Sequence, residues 1–175
     1  ANRRDTLTNL SKTGGGIDLM IGADPSADPR RTAPAPGDQR LLIAKVNDKV
    51  VAVRYRPIAP GGGDPVLFSS PVRTVKMARV DDVSTGIKLA STLQRDAKNT
   101  VTEADYELSI PLATIDLKPV DKESIRADIG LLRGNGFQTL QRVYWANKST
   151  GLVSDIPSEA ELLPGLWGNW TFARE

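Results

Sequence analysis

The chain has 175 residues, with 23 Lys+Arg, 21 Asp+Glu, 15 Gly and 12 Pro, and it contains neither Cys nor His. Without Cys there is no disulfide framework, thiolate nucleophile or Cys-based metal centre; without His there is no Ser-His-Asp triad, His₂Glu zinc site or imidazole acid–base pair. The net charge of +2 comes with no run of five or more basic residues, the densest clusters being Arg3-Arg4 and Arg30-Arg31, so nucleic acid has no electrostatic footprint, and no stretch approaches the ~18 apolar residues of a membrane span.

The polar, charged start is unlike a signal peptide, and a chain beginning at Ala1 reads as a mature form or a domain cut from a longer protein. Residues 1–16 form an N-terminal segment ending in Gly14-Gly15-Gly16, and residues 17–175 form the domain. Ile17 to Ile21 alternates as a strand. Gly22 to Gly37 is Pro-rich and reads as a surface loop. Leu41 to Val46 and Lys49 to Tyr55 are strands joined at Asn47-Asp48, a two-residue hairpin signal. Pro57 to Pro65 is a loop. Val66 to Phe68, Val72 to Val80 and Ser84 to Ala90 are short strand candidates.

Tyr106 to Ile110 alternates, with Tyr106, Leu108 and Ile110 on one face, and Pro111 ends it. Leu112 to Leu117 spaces its apolar residues for one helical turn. Ile125 to Leu132 is a strand, Gly134-Asn135-Gly136 a tight turn rather than a phosphate loop, and Leu140 to Trp145 the returning strand. A loop holding Asn147, Asp155, Glu159 and Glu161 precedes a last strand, Leu166 to Phe172. No amphipathic helix of three turns appears. The pattern predicts an all-β protein, an antiparallel β-sandwich of jelly-roll type in a single domain with long irregular loops.

Four groups of residues could carry chemistry. Asp24 and Asp28, on an irregular Pro-containing loop, could supply oxygen ligands to Ca²⁺; the alternative is Asx-turn chemistry, each carboxylate serving its own backbone. The loop Asp155 to Glu161 has the same two readings. Asp18, Glu107 and Asp128 interrupt apolar strands; paired carboxylates could cleave glycosides, but the plainer expectation is the solvent face of a half-exposed sheet. All three Trp fall in the last 31 residues, Trp145, Trp167 and Trp170. Indole faces stack on sugars, and Arg142, Asn147 and Asn169 lie nearby in sequence to bond hydroxyls, although a sandwich core would also claim at least two of the three.

Several segments in order resemble family 9 carbohydrate-binding modules and the wider DOMON-like β-sandwiches. They are Ile17-Asp18-Leu19-Met20-Ile21, Gly37-Asp38-Gln39-Arg40-Leu41, Asp105 to Leu112, Lys118-Pro119 with Ile125 to Gly130, Tyr144-Trp145-Ala146-Asn147, and Trp167 to Phe172. The resemblance implies a non-catalytic sugar-binding module of a larger exported protein, secreted or held in the cell envelope, whose partners are an oligo- or polysaccharide and the other domains of the parent chain. Asp18 matches the strand Glu that contacts sugar in the family, and Arg40 falls in the following strand. Trp145 and the Trp167-Gly168 pair correspond mostly to structural positions in the family; with Arg142, Trp145, Asn147 and Trp167 taken from this chain's own residues, Asp18 and Arg40 make up the candidate ligand-binding set.

The family clasps sugar ends between two Trp. One precedes the first matched strand, where Leu7 to Gly16 contain no aromatic; the other precedes the last acidic loop, where this chain reads Leu152-Val153-Ser154-Asp155. Haem-binding relatives pair Met with His or Lys. Met20 and Met77 are present, but without His the resemblance points toward sugar binding or scaffolding rather than haem. A structural or protein-interaction domain with no sugar ligand is the alternative reading.

Overall fold

The computed structural model describes residues 10, 15–61, 63–135, 139–149 and 160–173. The chain is all-β and antiparallel, as the alternation predicts. Its strands are β1 (Gly16–Gly22), β2 (Asp38–Val46), β3 (Lys49–Arg56), β4 (Val66–Ser69), β5 (Thr74–Met77), β6 (Arg79–Asp82), β7 (Lys88–Arg95), β8 (Val101–Ser109), β9 (Ser124–Gly134), β10 (Thr139–Tyr144) and β11 (Gly168–Thr171).

Seven strands form one sheet in the order β10-β9-β1-β2-β3-β6, with β11 also on β9; β4 pairs β5, and β7 pairs β8, as separate hairpins. β10 takes the Gly130–Gly134 half of β9 and β11 the Ser124–Ala127 half, so the two lie end to end along one edge. Asn47 and Asp48 both have positive φ (49° and 62°), the conformation a two-residue hairpin with matched twist requires.

The expected single strand Val72 to Val80 is two strands belonging to different sheets. At Ala78 the backbone N–H leaves the hairpin and donates to the Pro57 carbonyl, and β6 then joins the edge of the large sheet. The expected helical turn is a 3₁₀ turn over Leu112–Ile115.

Both faces of the large sheet are covered. On one face Met20, Leu42, Val53 and Tyr55 pack with Phe68 and Met77 of the β4–β5 hairpin and with Leu10, Leu162 and Trp167. On the other, Ile17, Leu19, Leu41, Ile43 and Ala52 pack with Ile87, Leu89, Leu108 and Ile110, which bring in the β7–β8 hairpin. Hence β1 and β2 are buried at successive positions instead of alternating with solvent. This corrects the solvent-face expectation for two carboxylates. Asp18 and Asp128 are fully buried, while Glu107, on the outer hairpin, is exposed.

Candidate functional site

Asp18 and Arg40 lie on neighbouring strands, β1 and β2, and meet beneath the β4–β5 side of the sheet. Arg40 Nε donates to Asp18 Oδ1 at 2.8 Å and Nη2 to Oδ2 at 2.7 Å, a two-pronged pair sealed from water. The Tyr144 hydroxyl donates to the same carboxylate. The Arg40 guanidinium stands 5.9 Å from the centre of the Tyr55 ring. Burial opposes the Arg40 charge, but Asp18 outweighs it and raises the guanidinium pKa. Burial, then Asp18, pushes the Tyr144 hydroxyl up; burial likewise carries Tyr55 up to about 12, against the pull of Arg40. Both phenols therefore stay protonated well beyond physiological pH. Arg142 is half-buried on the same face, and its charge acts on Tyr144.

Three implied sugar contacts, Asp18, Arg40 and Arg142, thus share one face of the sheet. The first two have no surface left for a ligand. Isolated strand carboxylates cost too much to bury alone, so a buried Asp beside a buried Arg becomes an internal pair.

Trp167 is a second correction to the implied binding set. It is 3% exposed, and the Arg31 guanidinium covers its ring at 6.0 Å. Arg31 is held there by Asp38, donating from Nε at 2.9 Å and from Nη2 at 2.5 Å. Trp170 is partly buried against the opposite core. Two of the three indoles therefore go to packing, as expected of a β core.

Trp145 differs, being 53% exposed. Its backbone N–H donates to the Ile129 carbonyl at 2.8 Å, which places it just past β10 on the β7–β8 side of the sheet. Its ring lies against Gly168, where any Cβ would collide with the indole. Ile129, Leu131 and Val143 lie beside it on that face and are also exposed.

The turn after Trp145 is fixed from inside. Buried Asp128 accepts the N–H groups of Ile129 at 2.9 Å and Ala146 at 2.8 Å on Oδ1, and that of Asn147 at 2.9 Å on Oδ2. Asn147 spends its own Oδ1 on the Ser149 N–H at 2.9 Å, and Lys148 Nζ caps the Tyr144 and Trp145 carbonyls. Of the implied ligand-binding set, then, Trp145 and half-buried Asn147 reach the surface together. Sequence reasoning missed Tyr144 and the turn-holding role of Asp128; the one available signal was Gly130, the residue opposite Tyr144 on β9.

Asp24 and Asp28 follow the turn reading. Asp24 Oδ1 accepts both the backbone N–H (2.9 Å) and the hydroxyl (2.6 Å) of Ser26, which lowers its pKa; Asp28 Oδ1 accepts the Arg30 N–H at 2.8 Å. Among the described residues no group of three or more acidic side chains gathers for a metal. Asp155, Glu159 and Gly136 lie outside the described residues, as do Leu152 to Asp155.

Among the described residues, no aromatic lines either of two open cavities of about 270 and 450 Å³. Among the described residues no helix is long and apolar enough to cross a membrane. Comparison of the chain with protein-family models, with curated proteins and with solved structures gives no match.

Proposed function

We propose that this chain is a non-catalytic, carbohydrate-binding-like β-sandwich module of a larger protein, and that its contact surface is the face around Trp145. The resemblance of its ordered segments to family 9 modules supports the class. The observation that carries the placement is the half-exposed Trp145 ring, packed against Gly168 and backed by a turn that Asp128 fixes. A rigid, exposed indole is the type of surface on which a sugar ring stacks its C–H face, and preorganisation spares ordering entropy on binding.

Glycan-array screening followed by calorimetry tests this reading. An oligosaccharide should bind, and Trp145→Ala should weaken it about tenfold or more (~1.4 kcal/mol) without altering the far-UV spectrum. No glycan binding, or binding indifferent to Trp145→Ala, would sink it.

A second reading, an interaction domain without a sugar ligand, is favoured by one observation. Ile129, Leu131 and Val143 extend the Trp145 surface with exposed aliphatic side chains, and contiguous apolar surface marks protein contacts. A glycan-silent protein whose self-association is relieved by Val143→Lys would support it.

A further inference from the structure

Arg126 sits on β9 facing away from Trp145, half-buried, and makes no ion pair among the described residues. Its Nη1 donates to Asn169 Oδ1 at 3.0 Å. Nη2 reaches only the Pro164 and Gly165 carbonyls, at 3.4 Å, the long end of the hydrogen-bond range. Its Nε is buried and has no partner among the described residues. Burial and then the like charge of Arg31 work against this cation, with Asp128 opposing them. Arg31 itself is spent on Asp38.

The cavity of about 450 Å³ opens against Arg126. Arg30 and Thr32 line it with Pro29, Leu163 and Leu166. The Arg30 side chain is 91% exposed, and its nearest carboxylate, Asp28, stands 3.7 Å away. One cation in the wall thus has neutral partners, and a second, exposed Arg30, is loosely held. The remaining wall is Pro29, Leu163 and Leu166, the Thr32 hydroxyl and the Gly165 backbone. A planar guanidinium presents paired N–H donors that match a carboxylate in its own plane.

We propose that this cavity is an anion site for a carboxylate-bearing ligand the size of a single sugar acid, with its carboxylate on Arg126 and Arg30 closing over it. The carboxylate chemistry stands on these residues alone; the choice of a sugar as carrier rests on the carbohydrate-binding reading. The volume lies within the range of small-ligand pockets.

Titration with glucuronate, glucose and inorganic sulfate, followed by NMR shifts or calorimetry at low salt, tests it. Glucuronate should bind about tenfold or more tightly than glucose and weaken as NaCl is raised. Arg126→Gln should weaken glucuronate about tenfold. Arg30→Ala, an exposed change that keeps the fold, should weaken it several-fold and guards against a folding failure at Arg126. Equal affinity for glucose and glucuronate, or sulfate binding without glucuronate binding, overturns the proposal. So does indifference to both substitutions. Glucuronate binding by a protein that ignores every neutral glycan upholds the anion site while the Trp145 reading falls; the converse pattern removes the anion site alone.

Discussion

The Tyr144 hydroxyl reaches the Asp18 carboxylate by crossing Gly130. Asp18 and Tyr144 pair with Gly130 from its two sides, on β1 and β10, and a Cβ at 130 would come within 2.5 Å of the Tyr144 ring. The glycine gap lets an aromatic ring span a whole strand and deliver a donor to a charge that would otherwise rest on Arg40 alone. Gly130→Ala should therefore force the ring aside and cost about 1–3 kcal/mol by overpacking. In a Tyr144→Ala background the same change should cost far less, and chemical denaturation of the four-member cycle reads the coupling.

Breaking the buried pair should be more damaging than losing both charges. Asp18→Ala leaves Arg40 charged and sealed from water and should destabilise by about 3–5 kcal/mol. Replacing both residues by apolar ones of similar size should cost much less. Single variants no worse than the double would contradict the geometry of two bonds at 2.7–2.8 Å.

Alkaline pH should unfold the protein through its two buried phenols. The folded-state pKa values of Tyr55 and Tyr144 are raised, Tyr55 to about 12. Their stabilisation is complete below the unfolded-state value of about 10 and is lost as pH rises from there through the folded-state values. Above pH ~10 stability should fall by about 1.4 kcal/mol per pH unit for each phenol. Tyr55→Phe should flatten that slope. An unchanged slope would refute the assignment.

Asp128→Ala should release the turn that carries Trp145. Three backbone N–H groups lose their acceptor, at about 1–3 kcal/mol for each one left buried and unsatisfied. Asp128→Asn keeps one acceptor oxygen and should fall between. Hydrogen exchange at Ala146 and Asn147 should accelerate in both variants before global stability explains it.

The sequence was most legible where local chemistry decides the backbone. Asn47-Asp48 specified its hairpin because only a few residues tolerate two successive positive φ angles. Asp24 and Asp28 specified their turns by bonding their own backbone. Val72 to Val80 reads as one strand because a strand that changes sheets keeps its β-forming residues through the break at Ala78. The burial of Asp18 is not legible in the sequence because period-two alternation distinguishes two faces of a strand without saying what covers them. Two hairpins distant in sequence bury both. For the binding set, proximity in sequence grouped Trp145 with Trp167, whereas β9 separates them onto opposite faces.

The position of β1 governs when this fold can exist at all. It lies between β2, its neighbour in sequence, and β9, with partners running from Gly16↔Leu132 to Ile21↔Ala127. The central pairing thus joins residues about 100 or more positions apart, and such long-range contacts close slowly because loop entropy must be met before they form. A chain still emerging from synthesis would hold β1, β2 and β3 with one sheet edge bare until β9 arrives.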